Sequence, residues 1–438
     1  MKKDRISIFW FRRDLRLDDN MGLYKSLQSE HPVLPIFIFD PEILDKLPKD
    51  DSRVSFIHQQ LQKLHNQLQK EFQSGIAHFF DHPVSVFKKL QQEYEIHTVF
   101  TNHDYEPYAI KRDSHVHDFL KEHNISFETF KDQVVFEKDE IVKSDGDPYV
   151  VYTPYMKQWK AKFNPSTDLV EYEIQSKLGK GLYKNTTLPN LGLSDIGFEP
   201  SKIAVPDYHV SPNFIENYEG TRNYPAKEQG TSRLGPHLRF GTVSIREMIK
   251  KAIAEKNETF WNELIWREFF MQILWHFPDT VHKAFKPKYD RIEWRNNERE
   301  FELWKSGQTG YALVDAGMRQ LNRTGYMHNR VRMLVASFLC KHLLIDWRWG
   351  EAYFAEKLLD YEMASNVGNW QWAAGSGVDA APYFRIFNPM TQVDKFDAEK
   401  KYINQWVPEL QELSYPQKMV DHKMARERCL KVYKQAVG

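Results

Sequence analysis

The chain has 438 residues, 41% of them apolar, and 60 basic side chains against 60 acidic ones. It is long enough for two or three domains and too apolar for wholesale disorder. Zero net charge excludes a protein that coats nucleic acid by overall charge, although a local basic cleft stays open. Two distant cysteines, Cys340 and Cys429, exclude a cysteine-ligated iron–sulfur cluster and fit a reducing, cytoplasmic setting. The basic start is followed by the apolar run Ile6–Phe11, which is too short for a signal peptide and reads as a buried strand. No apolar stretch is long enough to span a membrane.

Ile6–Phe11, Val33–Phe39, Ala77–Phe80, Thr98–Thr101 and Val134–Phe136 have strand character. Between them, Val54, Ile57, Leu61, Leu64, Leu68 and Phe72 recur at helical spacing, and Ile110–His123 forms a second helical pattern. This alternation predicts an α/β, Rossmann-like domain over residues 1–130, a parallel sheet with helices on both faces. The usual glycine-rich phosphate fingerprints are missing from it. Residues 131–213 are expected to form an interdomain linker, since Gly, Pro, Ser and Asn break all periodicity from about 165. Residues 214–438 read as an all-α domain, with Ser244 and Glu247 as a capping box and a last helix near 417–435.

Four segments of this second half carry chemistry. "EQGTSRLGPHLRFG" (228–241) can aim hydroxyls, backbone N–H groups and Arg233 at an anion. "NELIWREFF" (262–270) sets Glu263, Trp266, Arg267 and Phe270 on one helical stripe. "YMHNRVRMLVASF" (326–338) puts Asn329 and Met333 on one face, beside Arg330 and Arg332. "LLDYEMASN" (358–366) brings Asp360, Glu362 and Asn366 just before Trp370 and Trp372 in "NVGNWQWAAGSGVDAAPYFRIFNP". Each segment alone also fits an ordinary solvated helix face. Together they suit a large cofactor with a phosphate end and a flat heterocyclic end. His328 has no second ligand at metal spacing, so no metal is expected.

These motifs, with "FWFRRDLRLDDN" (9–20) and "LLIDW" (343–347), closely resemble the photolyase/cryptochrome family. The best match is to cyclobutane pyrimidine dimer photolyases of the bacterial class I type, over essentially the whole chain. The resemblance implies FAD bound by Tyr218, Thr231, Ser232, Arg233, Leu234, Gly235, Trp261, Asp360, Tyr361, Glu362 and Asn366. Asn366 would face the flavin N5, and Glu362 stands where relatives often carry Asp. Trp370, Trp347 and Trp294 would form an electron-transfer chain. Glu263, Trp266, Asn329, Met333 and Trp372 would contact a flipped-out dimer, with Arg222, Arg267, Arg330 and Arg385 at the DNA backbone or cavity mouth. The implied reaction is light-driven electron transfer from reduced FAD to the dimer, with Glu263, Asn366 and the three tryptophans as the catalytic set. The partner would be UV-damaged DNA, and the protein a monomer. Folate-binding relatives carry Asn and Glu after a "YE" pair. Here "HDYEPYAIKRD" has Tyr108 and Ala109 instead, so a folate antenna is not expected, and a deazaflavin, another flavin or none stay open. A (6-4) photolyase would need histidines in the lesion pocket, and a cryptochrome photoreceptor often adds a C-terminal extension. Asn329 and Met333 favour repair of the cyclobutane dimer.

Overall fold

The computed structural model describes residues 3–438. Five parallel strands, β1 (Arg5–Phe11), β2 (Val33–Phe39), β3 (Ala77–Phe80), β4 (Glu95–Asn102) and β5 (Ser126–Phe130), lie in the order β3-β2-β1-β4-β5. β1 and β2 are buried on both faces, which is why they read as unbroken apolar runs. Alternate side chains feed two cores: Phe9 and Phe11 enter one, Ile8 and Trp10 the other. The helix Ser52–Phe72, capped by Asp51, covers the first core with Val54, Leu61, Leu64 and Leu68. The helix Pro107–Glu122 covers the second with Val116, Phe119 and Leu120.

The expected fifth strand at Val134–Phe136 is a correction. Those residues are buried without strand pairing, and the strand is Ser126–Phe130. β5 is an edge strand with no fully buried residue, so it lacks the apolar run that marked the others. The 165–213 stretch also carries more structure than its composition suggests. It contains helices Pro165–Asp168 and Gln175–Gly181, and it buries Leu178, Leu182, Ile196 and Phe198 in the first core.

Two compact units interleave along the chain. One comprises the chain up to Glu137 with Phe163–Asp207 and Leu234–Lys251; the other comprises Lys138–Lys162, Tyr208–Arg233 and Ala252–Gly438. The second is helical around one core that includes Trp304, Phe338, Trp347, Phe354 and Trp370. No helix among the described residues is long and apolar enough to cross a membrane.

Candidate functional site

In the helical unit, Asn329–Ser337, Trp347–Lys357 and Met363–Ala374 are the helices around an open cavity. Its walls bring together Asn329, Met333, Asp360, Tyr361, Glu362, Asn366, Trp370 and Trp372. Each helix starts on its own cap. His328 Nδ1 accepts from Arg330 N at 3.1 Å, Asp346 from Arg348 N at 3.0 Å, and Glu362 from Ser365 N at 3.1 Å. Burial, reinforced by Arg332, Arg233, Arg330 and Arg222, pushes the His328 imidazole down to about 3. His328 is therefore a neutral cap.

Asn366 has a fixed orientation. Its Nδ2 donates to the Glu351 carbonyl at 3.1 Å and to Glu351 Oε1 at 2.8 Å, which uses both amide protons. The Asn366 side-chain carbonyl is left as an acceptor on the cavity wall. Burial raises the Glu351 carboxyl, and the bond from Asn366 opposes that shift.

Asp360 is held by both arms of Arg332, at 3.1 and 2.9 Å, while Arg332 Nε donates to Met327 O at 2.7 Å. The Tyr326 ring lies under Arg233 at 3.6 Å and near Arg332 at 5.8 Å, and its hydroxyl meets Thr231 Oγ1 at 2.9 Å. Tyr326 thereby ties the 231–233 turn to the cavity rim. Arg233 has φ +56° there, and the Ser232 carbonyl accepts from His209 N at 2.8 Å. Leu234 and Gly235 belong to the α/β unit, where Gly235 opens the helix Gly235–Phe240.

Other expected residues stand outside the lining of this cavity. Glu263 pairs with Arg222 at 2.5 Å, and Arg222 sits 5.4 Å above the Tyr218 ring. Trp266 stacks flat on Tyr152, with centroids 3.6 Å apart and planes 8° apart. Tyr152 is pinned by its hydroxyl to Asn262 O at 2.7 Å and by its N–H to Asp379 at 3.3 Å. Arg267 is half-buried, and Trp261 lies edge-on to Trp159 and under Lys160. Arg330 donates to Asn223 at 2.5 Å, and Arg385 is exposed. Trp370 meets Phe354 edge-on at 5.0 Å. A Cβ at Gly350 would lie 2.1 Å from the Trp370 ring, so only glycine allows that approach. Trp347 is buried in the same core and Trp294 packs against it. In the α/β unit, the Tyr108 hydroxyl donates to Asp40, and Ala109 is buried.

Tyr326, Arg332, Glu351 and Tyr152 were not expected as site residues. Arg332 had a usable signal, since it lies three residues after Asn329 on one helical stripe. The other three act through partners far away in sequence.

The family described as "FAD binding domain of DNA photolyase" matches residues 260–435, and that described as "DNA photolyase" matches residues 7–172. A deoxyribodipyrimidine photo-lyase of Halobacterium salinarum is 36% identical over 99% of this chain and 100% of its own. A solved bacterial class III photolyase from Agrobacterium tumefaciens superposes with a TM-score of 0.88 at 32% identity, covering 100% of this chain and 98% of its own. An archaeal photolyase from Sulfolobus tokodaii, described with two FAD molecules, gives 0.83 at 34% identity over 98% and 100%. The chain belongs to the photolyase/cryptochrome family. It is a flavoprotein whose helical unit carries the family's FAD-binding domain.

The residues present fit FAD. Arg233 and Thr231, braced by Tyr326, match a pyrophosphate, the rings of Trp370 and Phe354 match a flat heterocycle, and Asn366 offers one oriented acceptor.

Proposed function

We infer that this protein is a light-dependent DNA repair enzyme that splits cyclobutane pyrimidine dimers. The observation that carries the reading is one cavity with two kinds of wall. Asn366, Asp360, Glu362 and Trp370 supply polar and aromatic groups suited to a flavin, while Asn329, Met333 and Trp372 supply a lip suited to thymines. When bound and reduced, FAD supplies a light-driven electron that opens the cyclobutane ring and is then returned.

The chain's own groups bind, orient and exclude. Arg233 and Thr231, braced by Tyr326, hold the phosphate end, with Ser232, Tyr218 and Trp261 as further contacts. Arg332 neutralises Asp360 and fixes its carboxylate. Glu351 consumes the donors of Asn366 and so presents an acceptor to the flavin ring. Glu263 is held by Arg222 and would exchange that partner for thymine N–H groups. Trp266 and Trp372 flank the flipped lesion, whose weakened pairing lowers the cost of leaving the stack. Trp370, Trp347 and Trp294 form the route that recharges the cofactor, supported by their shared core. Arg267, Arg330 and Arg385 meet the DNA backbone.

The test is direct. The purified protein is checked for flavin absorbance, then incubated with a dimer-containing oligonucleotide in blue light and in darkness. Repair only in light is expected; flavin-bound protein with no repair in either condition overturns the reading. Repair of (6-4) lesions alone would correct the substrate.

A further inference from the structure

Lys341 is 1% exposed, and among the described residues no carboxylate forms an ion pair with it. A buried ammonium without an acid is costly, and such groups persist where they hold something in place. Its ammonium donates to the backbone carbonyl of Arg385 at 2.9 Å. Burial lowers Lys341 to about 8, so it stays mostly protonated at neutral pH. It sits on a π-helical turn, Phe338–His342, an irregularity that rotates side chains away from an ordinary helical register.

The segment it holds is shaped to face outward. Arg385 N donates to Pro382 O at 2.8 Å and closes a tight turn. Within it, Tyr383 stacks on Tyr433 of the last helix, at 5.8 Å and 19°, and Ile386 packs on the small core of Ile292, Leu344 and Cys429. Phe384, 61% exposed, and Arg385 point to solvent. Two inward residues, two outward residues and one buried ammonium on the Arg385 carbonyl make a mount.

We propose that Lys341 is a positioning residue that fixes the 382–386 turn, so that Arg385 meets a DNA phosphate without first being ordered. The proposal rests on the reading of Arg385 as a backbone contact. Pre-ordering lowers the entropic cost of binding, so losing the mount weakens affinity without touching the cofactor.

The experiment is a double-mutant cycle read by titration of dimer-containing oligonucleotide at several salt concentrations. R385Q should weaken binding and lower the slope of log K against log salt by roughly 1. K341M should lose affinity in the same direction and lower the same slope, with FAD content and repair yield at saturating DNA unchanged. The double variant should bind no more weakly than R385Q alone, because Lys341 acts through Arg385. Y383L, which loosens the same turn from its other side, should repeat the K341M result and keeps the test independent of how K341M folds. K341M and Y383L proteins with wild-type affinity and slope overturn the proposal, as does a double variant whose losses multiply. An R385Q protein with wild-type affinity and slope overturns the underlying reading of Arg385 instead.

Discussion

Two buried acids of the α/β unit and one buried amide at the helical unit's cavity are held in opposite ways. In the α/β unit, Asp132 accepts from Arg16 at 2.6 Å, from Arg246 at 2.8 Å and from Met21 N at 3.2 Å. Asp19 accepts from Arg246 Nε, Ser244 and Tyr172 N. Every carboxylate oxygen of the two acids is taken. In the helical unit, Asn366 is held from behind by Glu351 and leaves its side-chain carbonyl open to the cavity. A closed network stabilises one structure; a half-open one is poised for a ligand.

The largest effect should come from breaking the closed network. Asp132→Ala leaves the buried Arg16 guanidinium without its carboxylate and Arg246 with Asp19 alone, a loss of about 3–5 kcal/mol in cases of this kind. A urea titration should show the α/β unit unfolding at markedly lower denaturant; an unchanged midpoint would mean that water replaces the carboxylate. Asp132 and Glu351 also titrate with opposite sign. Burial alone would raise Asp132, but Arg16 and Arg246 outweigh it and hold the carboxyl low. Its contribution is therefore present above the unfolded value of about 3.9 and is lost as pH falls through the folded value. Glu351 is raised by burial, so it costs stability as pH climbs from about 4.3 toward its folded value. Glu351→Gln should flatten that second dependence and leave the first intact, checked by urea midpoints between about pH 3 and 7.

Next in size is the lesion wall. Aromatic–base contacts contribute about 1–3 kcal/mol per base, so Trp266→Ala should weaken binding of damaged DNA by roughly one to two orders of magnitude. Undamaged DNA, held mainly through phosphates, should bind almost as before. The stack on Tyr152 sharpens this prediction, because one face of Trp266 is already covered. Equal loss for both DNAs would assign Trp266 to packing with Tyr152 rather than to the lesion.

What the sequence revealed follows the same division. β1 and β2 were legible because both faces are buried, and the cavity walls were legible because Asn329, Met333, Asp360 and Asn366 sit in long motifs. β5 was hidden by its exposed edge position. Arg332 and Arg330 are two residues apart, yet only the fold tells them apart: one grips Asp360 and the other reaches Asn223. Glu351 and Tyr152 act on residues that no local pattern links to them. Local periodicity reports which face is buried, while the partner of a buried polar group is set by tertiary packing.

A smaller effect is expected at the brace behind Asn366. Glu351→Leu removes the side-chain acceptor and frees the amide to turn, whereas Glu351→Gln keeps an acceptor in place. A hydrogen bond of this type contributes about 1 kcal/mol, so the leucine variant should repair roughly fivefold to tenfold more slowly and the glutamine variant near the normal rate. Initial rates under blue light, on proteins matched for FAD absorbance, would separate them. Equal rates would show that Asn366 holds its orientation through the Glu351 backbone carbonyl alone.

The smallest effect concerns Glu362, which caps the helix bearing Asn366 and Trp370 and also lines the cavity. Its Oε2 reaches Ser365 N at 3.1 Å from an extended backbone, with φ −135° and ψ 118°. Aspartate makes this cap with one fewer rotatable bond and is among the preferred N-cap residues, while glutamate is not. Glu362→Asp should therefore stabilise the helical unit by about 0.5 kcal/mol, seen as a rise in melting temperature of roughly 1–2 °C. The shorter chain also draws the carboxylate back from the cavity that Glu362 lines. Holoprotein and FAD-stripped protein should respond differently for that reason. If Glu362 serves only the helix, both gain equally. If it also holds the cofactor, the stripped protein gains and the holoprotein gains less, because FAD then binds N less tightly and contributes less to its stability. Paired melting curves of the two forms decide between a cap that happens to line the cavity and a ligand that happens to cap.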